Sequence, residues 1–151
     1  MKNKETVLPA PVLIVEDEAM IRSRLDLILS ELGYSQDMLI FAKNLAEAMQ
    51  IIASQPISLA LVDLGLPDGN GITLIEKLRG IDESALILVI SAWSTQQSLF
   101  ASIKAGANGY VLKERDDAEV LMSIRSILRG CAPTDPFIAR EILNQISTSN
   151  T

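Results

Sequence analysis

Three short runs, VLIV (12–15), LALV (59–62) and LILVI (86–90), are apolar at every position with no polar alternation. A strand that faces water on one side alternates polar and apolar residues. One that is apolar throughout must be covered on both faces, as in parallel sheets packed between helices. Two weaker runs, 38–41 and 110–112, complete a set of five. Between them the apolar spacing is helical. Ile21, Leu25, Ile28 and Leu32 recur at three and four residues, and Gly33 follows as a stop. Leu45, Ala48, Met49 and Ile52 form a second stripe. Ile72, Leu74, Ile75 and Leu78 form a third, ending at Gly80. Leu99 and Ile103 form a weaker one ending near Gly106, and Leu121, Ile124 and Leu128 one ending at Gly130.

Strand and helix thus alternate five times, which predicts an α/β domain: a doubly wound five-stranded parallel sheet in the order 2-1-3-4-5, flavodoxin-like. The predicted domain spans 11–130. A C-terminal extension, 131–151, is expected to carry one more helix. Thr134 or Asp135 can cap it, Pro136 suits its first turn, and Ile138, Ile142 and Ile146 repeat at four.

Composition narrows the function. The 151 residues are 48 % hydrophobic and 21 % charged, which suits a folded chain with a real core. Net charge is −6, so the chain alone is not expected to hold nucleic acid. With no His and one Cys, a zinc site is not expected either. Cys131 has no partner in the chain and fits a reducing compartment. Residues 1–11 lack the apolar core of a signal peptide, and no apolar stretch approaches membrane-spanning length. The expectation is a cytoplasmic protein without a membrane partner.

Carboxylates follow the strands. The first ends in Glu16 and Asp17, and the third ends in Asp63. In open α/β sheets ligands bind beyond the carboxyl ends of the strands, at the switch in strand order, here between the first and third strands. Glu16, Asp17 and Asp63 should converge there. Three carboxylates so close repel, and a hard cation relieves that; Mg²⁺ takes one or two carboxylates and leaves room for phosphate oxygens. The fourth strand ends in Ser91 and the fifth in Lys113, adding a hydroxyl donor and a compact positive charge. The set suits a phosphoryl group carried by an aspartate. Asp68, in PDGNG, reads as turn chemistry only.

VLIVEDE, ALVDLGLPDGNG, VISAW and GANGYVLKE, in this order and spacing, resemble the response-regulator receiver family of two-component signalling. The resemblance runs from about 11 to 130. It implies that Asp63 accepts a phosphoryl group from a histidine kinase or phosphotransfer protein. It implies Mg²⁺ held by Asp17, Asp63 and the backbone carbonyl of Gly65, with Glu16 acting through water. Ser91 and Tyr110 match the family's switch pair and Lys113 its phosphoryl-pairing lysine. Readout is expected on the face of the fourth helix, fifth strand and fifth helix, with self-catalysed phosphorylation and dephosphorylation but no turnover of a free substrate.

Glu114 stands where many receivers have Pro, so no cis peptide is expected after Lys113. GYVLKE and the tail ILRGCAPTDPFIAREIL are most similar to receivers of LuxR-like helix-turn-helix transcription regulators. Residues 131–151 are too few for that second domain. A missing DNA-binding part and action by protein contact alone both fit, and a homodimer through the extra helix is open. Trp93, two residues past Ser91, is expected to crowd the phosphoryl group and slow water. The competing reading is a pseudo-receiver that binds partners without phosphorylation, against which the complete set of five residues argues. A Mg²⁺-dependent phosphatase of the haloacid-dehalogenase sort would need a DxD motif on the first strand, where Asp17 is followed by Glu18 and Ala19.

Overall fold

A computed structural model describes residues 8–130. The elements run β1 (Val12–Val15), α1 (Ala19–Leu32), β2 (Leu39–Ala42), α2 (Leu45–Ser54), β3 (Leu59–Val62), β4 (Gly65–Leu66), β5 (Gly69–Asn70), α3 (Gly71–Ile81), β6 (Leu86–Ser91), α4 (Gln96–Ala105), β7 (Gly109–Leu112) and α5 (Asp117–Leu128). Five strands form one parallel sheet in the order β2-β1-β3-β6-β7. With the β4–β5 hairpin left out of the count, that is the expected 2-1-3-4-5. The expected helix after Thr134, Cys131 and the rest of 131–151 lie outside the described residues.

The apolar runs do what their lack of alternation requires. β1, β3 and β7 are buried along their whole length, and β6 beyond its first residue. Leu13, Val15, Ala60, Val62, Ile87 and Val89 face α2, α3 and α4. Val12, Ile14, Leu59, Leu61, Leu88 and Ile90 face α1 and α5. At either layer a Leu→Ala change would cost about 2–5 kcal/mol, because close packing leaves the cavity unfilled.

The helices follow the sequence except at two places. Gly33 and Gly106 end α1 and α4 with φ of 112° and 121°, left-handed backbone that glycine adopts without strain. Gly80, expected as a stop, lies inside α3; the helix runs on to Ile81, and Asp82 N–H bonds back to the Leu78 carbonyl. Ile103, expected on the buried stripe of α4, is exposed, while Leu99 and Ser102 face inward. The Ser102 hydroxyl donates to the Ser98 carbonyl at 2.8 Å, so a polar side chain enters the core with its donor satisfied.

At the amino-terminal rim of the sheet, Arg79 ties α3 to its surroundings. It donates to the carbonyls of Gly106, Asp82, Glu83 and Ala85 at 2.7–3.3 Å, and to Asn108 Oδ1 at 2.8 Å. Asn108 Oδ1 also accepts from Ile87 N–H at 2.8 Å. One guanidinium thereby serves the end of α3, the approach to β6 and the turn into β7.

Candidate functional site

The sheet's own ladder sets the carboxylates level with each other. Beyond the strand ends, Glu16 N–H donates to the Ala42 carbonyl and Asp63 N–H to the Val15 carbonyl, both at 3.0 Å. Glu16, Asp17 and Asp63 each bring a carboxylate oxygen within 4.8 Å of the others. On the far side Lys113 N–H donates to the Ser91 carbonyl at 2.8 Å, which aims the lysine along the same rim. Its ammonium lies 2.9 Å from Glu16 Oε1, 3.0 Å from Asp63 Oδ2 and 3.3 Å from Glu18 Oε1. The expected convergence of residues 16, 17, 63 and 113 is therefore what the fold produces.

Burial decides the electrostatics. Glu16 and Asp63 are buried and Asp17 is exposed. Burial pushes the Glu16 carboxyl up to about 7, against the pull of Glu18 N–H and Lys113, and the Asp63 charge adds to the rise. Asp63 is raised for the same first reason, burial, opposed by Lys113 and by Gly65 N–H. Burial works against the Lys113 charge, but its bonds to Glu16 and Asp63 outweigh that and raise it. The cleft thus holds an ammonium among acids that resist ionisation, a balance a divalent cation can replace. Three convergent carboxylates, one at the solvent edge, suit a hard oxygen-seeking ion.

The hydroxyls lie on the neighbouring strands. Ser91 is fully buried, and its Oγ accepts from Trp93 N–H at 3.0 Å. Tyr110 is buried and donates its hydroxyl proton to the Trp93 carbonyl at 2.7 Å. Both groups matched to the family's switch therefore grip the backbone of Trp93. The indole itself lies over the loop that follows Asp63: a Cβ added to Gly65 would sit 3.1 Å from Trp93 Cζ2. Gly65 N–H donates to Asp63 Oδ1 at 3.2 Å.

The loop after Asp63 is tighter than turn chemistry alone suggested. β4 and β5 pair as a two-residue antiparallel hairpin around Pro67 and Asp68. Asp68 also accepts from Leu45 N–H at 2.7 Å and Ala46 N–H at 2.9 Å, so it supplies the first turn of α2 from outside the helix. These bonds hold its carboxyl below the usual range. A Cβ on Gly71 would lie 2.4 Å from the Asp63 carbonyl, so α3 begins pressed against the backbone of Asp63. Glu18, the residue before α1 and assigned no site role from the sequence, is a third partner of Lys113.

A doubly wound α/β domain with an acidic cleft and one lysine at the carboxyl rim has the architecture of a receiver domain. The chain belongs to the response regulator receiver domain family, whose model matches residues 12–125. The Fimbriae Z protein of Salmonella typhimurium (strain LT2) is 29 % identical over 143 residues, covering 95 % of this chain and 66 % of that protein. The transcriptional regulatory protein PhoP of Escherichia coli (strain K12) is 35 % identical over 118 residues, 78 % of this chain and 52 % of PhoP. The chain thus spans between about half and two thirds of these relatives. The crystal structure of a LuxR-family two-component response regulator from Aurantimonas sp. SI85-9A1 superposes with a TM-score of 0.75 at 27 % identity, covering 92 % of this chain and 99 % of that one. Among the described residues no helix is long and apolar enough to cross a membrane.

Proposed function

We propose that the domain spanning 11–130 accepts a phosphoryl group on Asp63 from the phosphohistidine of a kinase or phosphotransfer protein. An Asp63 carboxylate oxygen attacks phosphorus, the P–N bond breaks, and the imidazole leaves with the electron pair. The product is an acyl phosphate. Lys113 gives up its contact with Asp63 Oδ2 for a phosphoryl oxygen, and the Ser91 hydroxyl donates to another. Asp17, Asp63 and the Gly65 carbonyl would hold Mg²⁺, with Glu16 reaching it through water; the ion neutralises phosphoryl oxygens when bound. The arrangement that carries this reading is the Lys113 ammonium 3.0 Å from Asp63 Oδ2 inside a three-carboxylate cleft.

Phosphorylation adds about −1.5 to −2 charges at one point. Ser91 and Lys113 follow that charge. Tyr110 then loses its grip on the Trp93 carbonyl, and the α4–β7–α5 face changes its packing. The output is control of transcription in the cytoplasm, as the similarity to PhoP and the LuxR-family regulator suggests. The domain transforms no free substrate repeatedly.

Trp93 is the only tryptophan in the chain and touches the acceptor loop, so its fluorescence reports both steps. Mg²⁺ and then beryllofluoride should each change it, and Asp63→Asn should abolish the second change. A protein that binds Mg²⁺ yet ignores beryllofluoride and small phosphodonors would be a pseudo-receiver. One that hydrolyses phosphate esters over many cycles would be a phosphatase.

A further inference from the structure

Lys113 is held by its backbone as well as by its charge. Arg24, on α1, turns its guanidinium toward the loop between β7 and α5. Nη1 donates to the Lys113 carbonyl at 3.0 Å. Nη2 donates to the Arg115 carbonyl, and Nε pairs with Asp117 Oδ1 on the first residue of α5. The fork of a single arginine is thus distributed over the stretch that starts with Lys113. The Lys113 amide is already fixed to the Ser91 carbonyl. With its carbonyl fixed by Arg24, both sides of the residue are anchored, and the stem has one place from which to reach Glu16 and Asp63. No proline ring stiffens the loop here, since Glu114 follows Lys113.

We infer that Arg24 is a positioning residue for Lys113: it sets the backbone from which the ammonium reaches the acceptor carboxylate. The inference rests on the phosphoacceptor reading above for its consequence but not for its geometry. A simple tie between α1 and α5 would contribute stability alone. The Asp117 pair supplies such a tie and is more exposed, so it should matter little. The two carbonyl contacts are different, because they act on the loop geometry itself.

Arg24→Met keeps the stem and removes the fork. At a temperature well below unfolding it should weaken beryllofluoride binding and slow phosphorylation by acetyl phosphate roughly tenfold, the scale of one charge-assisted hydrogen bond. Mg²⁺ affinity should stay within about twofold, since Arg24 touches no carboxylate of the cleft. Asp117→Asn should leave all three nearly unchanged. In a Lys113→Ala background Arg24→Met should add nothing, because the two act through one ammonium. Equal beryllofluoride affinity in Arg24→Met and the parent, or an undiminished loss in the Lys113→Ala background, overturns the inference. The NMR signal of Lys113 Cε should also move toward that of a solvated lysine in Arg24→Met. This readout works on the unphosphorylated protein, so a parent that ignores beryllofluoride sinks the phosphoacceptor reading while the resonance still decides the role of Arg24. If Arg24→Met does not fold, Arg24→Lys, which keeps a charge but lacks the fork, carries the same expectations.

Discussion

Both rims of the sheet are organised by a cation, and they use it in opposite ways. At the amino-terminal rim every hydrogen bond of Arg79 goes to a neutral carbonyl oxygen, four from the backbone and one from Asn108. At the carboxyl rim Lys113 meets three carboxylates and is paired by charge rather than by direction. A planar fork matched to fixed carbonyls can be satisfied in one arrangement only. An ammonium among several acids can exchange one oxygen for another at little cost. The same fold therefore has a rim built to stay and a rim built to rearrange.

Substitutions should separate the two rims. The largest effect is expected from Lys113→Ala. Phosphorylation by a small donor should fall roughly 100- to 1,000-fold, as when one preorganised charge is removed from a transition state. Stability should change far less, because Glu16 and Asp63 can take up protons when the ammonium is lost. A Lys113→Ala protein that unfolds while its rate per folded molecule is intact would erase the distinction. Next comes Arg79→Met. It should cost about 2–3 kcal/mol in urea unfolding, since several carbonyls lose their donor at once, yet leave the beryllofluoride response at 25 °C as in the parent.

A pH series sharpens the contrast further. Glu16 titrates near 7 in the folded protein against 4.5 ordinarily. Between those values the folded state keeps a proton that the unfolded chain has released. Stability without divalent cations should therefore fall as pH rises through this window, by about 1–2 kcal/mol. Asp63, also raised, acts in the same direction. Lys113 stays charged throughout, and Asp68 and Asp82, held low by hydrogen bonds, act only at more acid pH. A urea midpoint higher at about pH 7.5 than at about pH 5.5 would show that the buried acids do not dominate. The smallest effect is expected from Trp93→Ala, which uncovers Gly65. The acyl phosphate should be hydrolysed roughly three to ten times faster, and an unchanged lifetime would mean that the indole does not screen the site from water.

Most of the fold could be read from the chain because strands buried on both faces leave an unmistakable pattern. β1 and β3 fall on VLIV and LALV, while β2 begins one residue later than expected, at Leu39. The cleft was legible for a related reason: strand ends define a rim, and residues just past them must meet there. Apart from the pairing of Glu18 with Lys113, what escaped were contacts whose partner is backbone. Arg24 and Arg79 look like ordinary solvated helix residues, since nothing in a sequence says that a carbonyl many residues away will face them. Asp68 misled differently. Its turn signature was genuine, but the turn also delivers its carboxylate to the bare amides of α2. Gly80 and Ile103 show the limit of periodicity, which marks a face but neither where a helix stops nor which of its apolar residues the neighbouring layer covers.

The contact between Gly71 and the Asp63 carbonyl has a mechanical consequence. With no side chain between them, α3 starts directly against the backbone at the end of β3, and no space is left behind Asp63. A phosphoryl group added there as proposed would have to be accommodated on the other side, toward β6 and β7, where Ser91 and Tyr110 hold the Trp93 backbone.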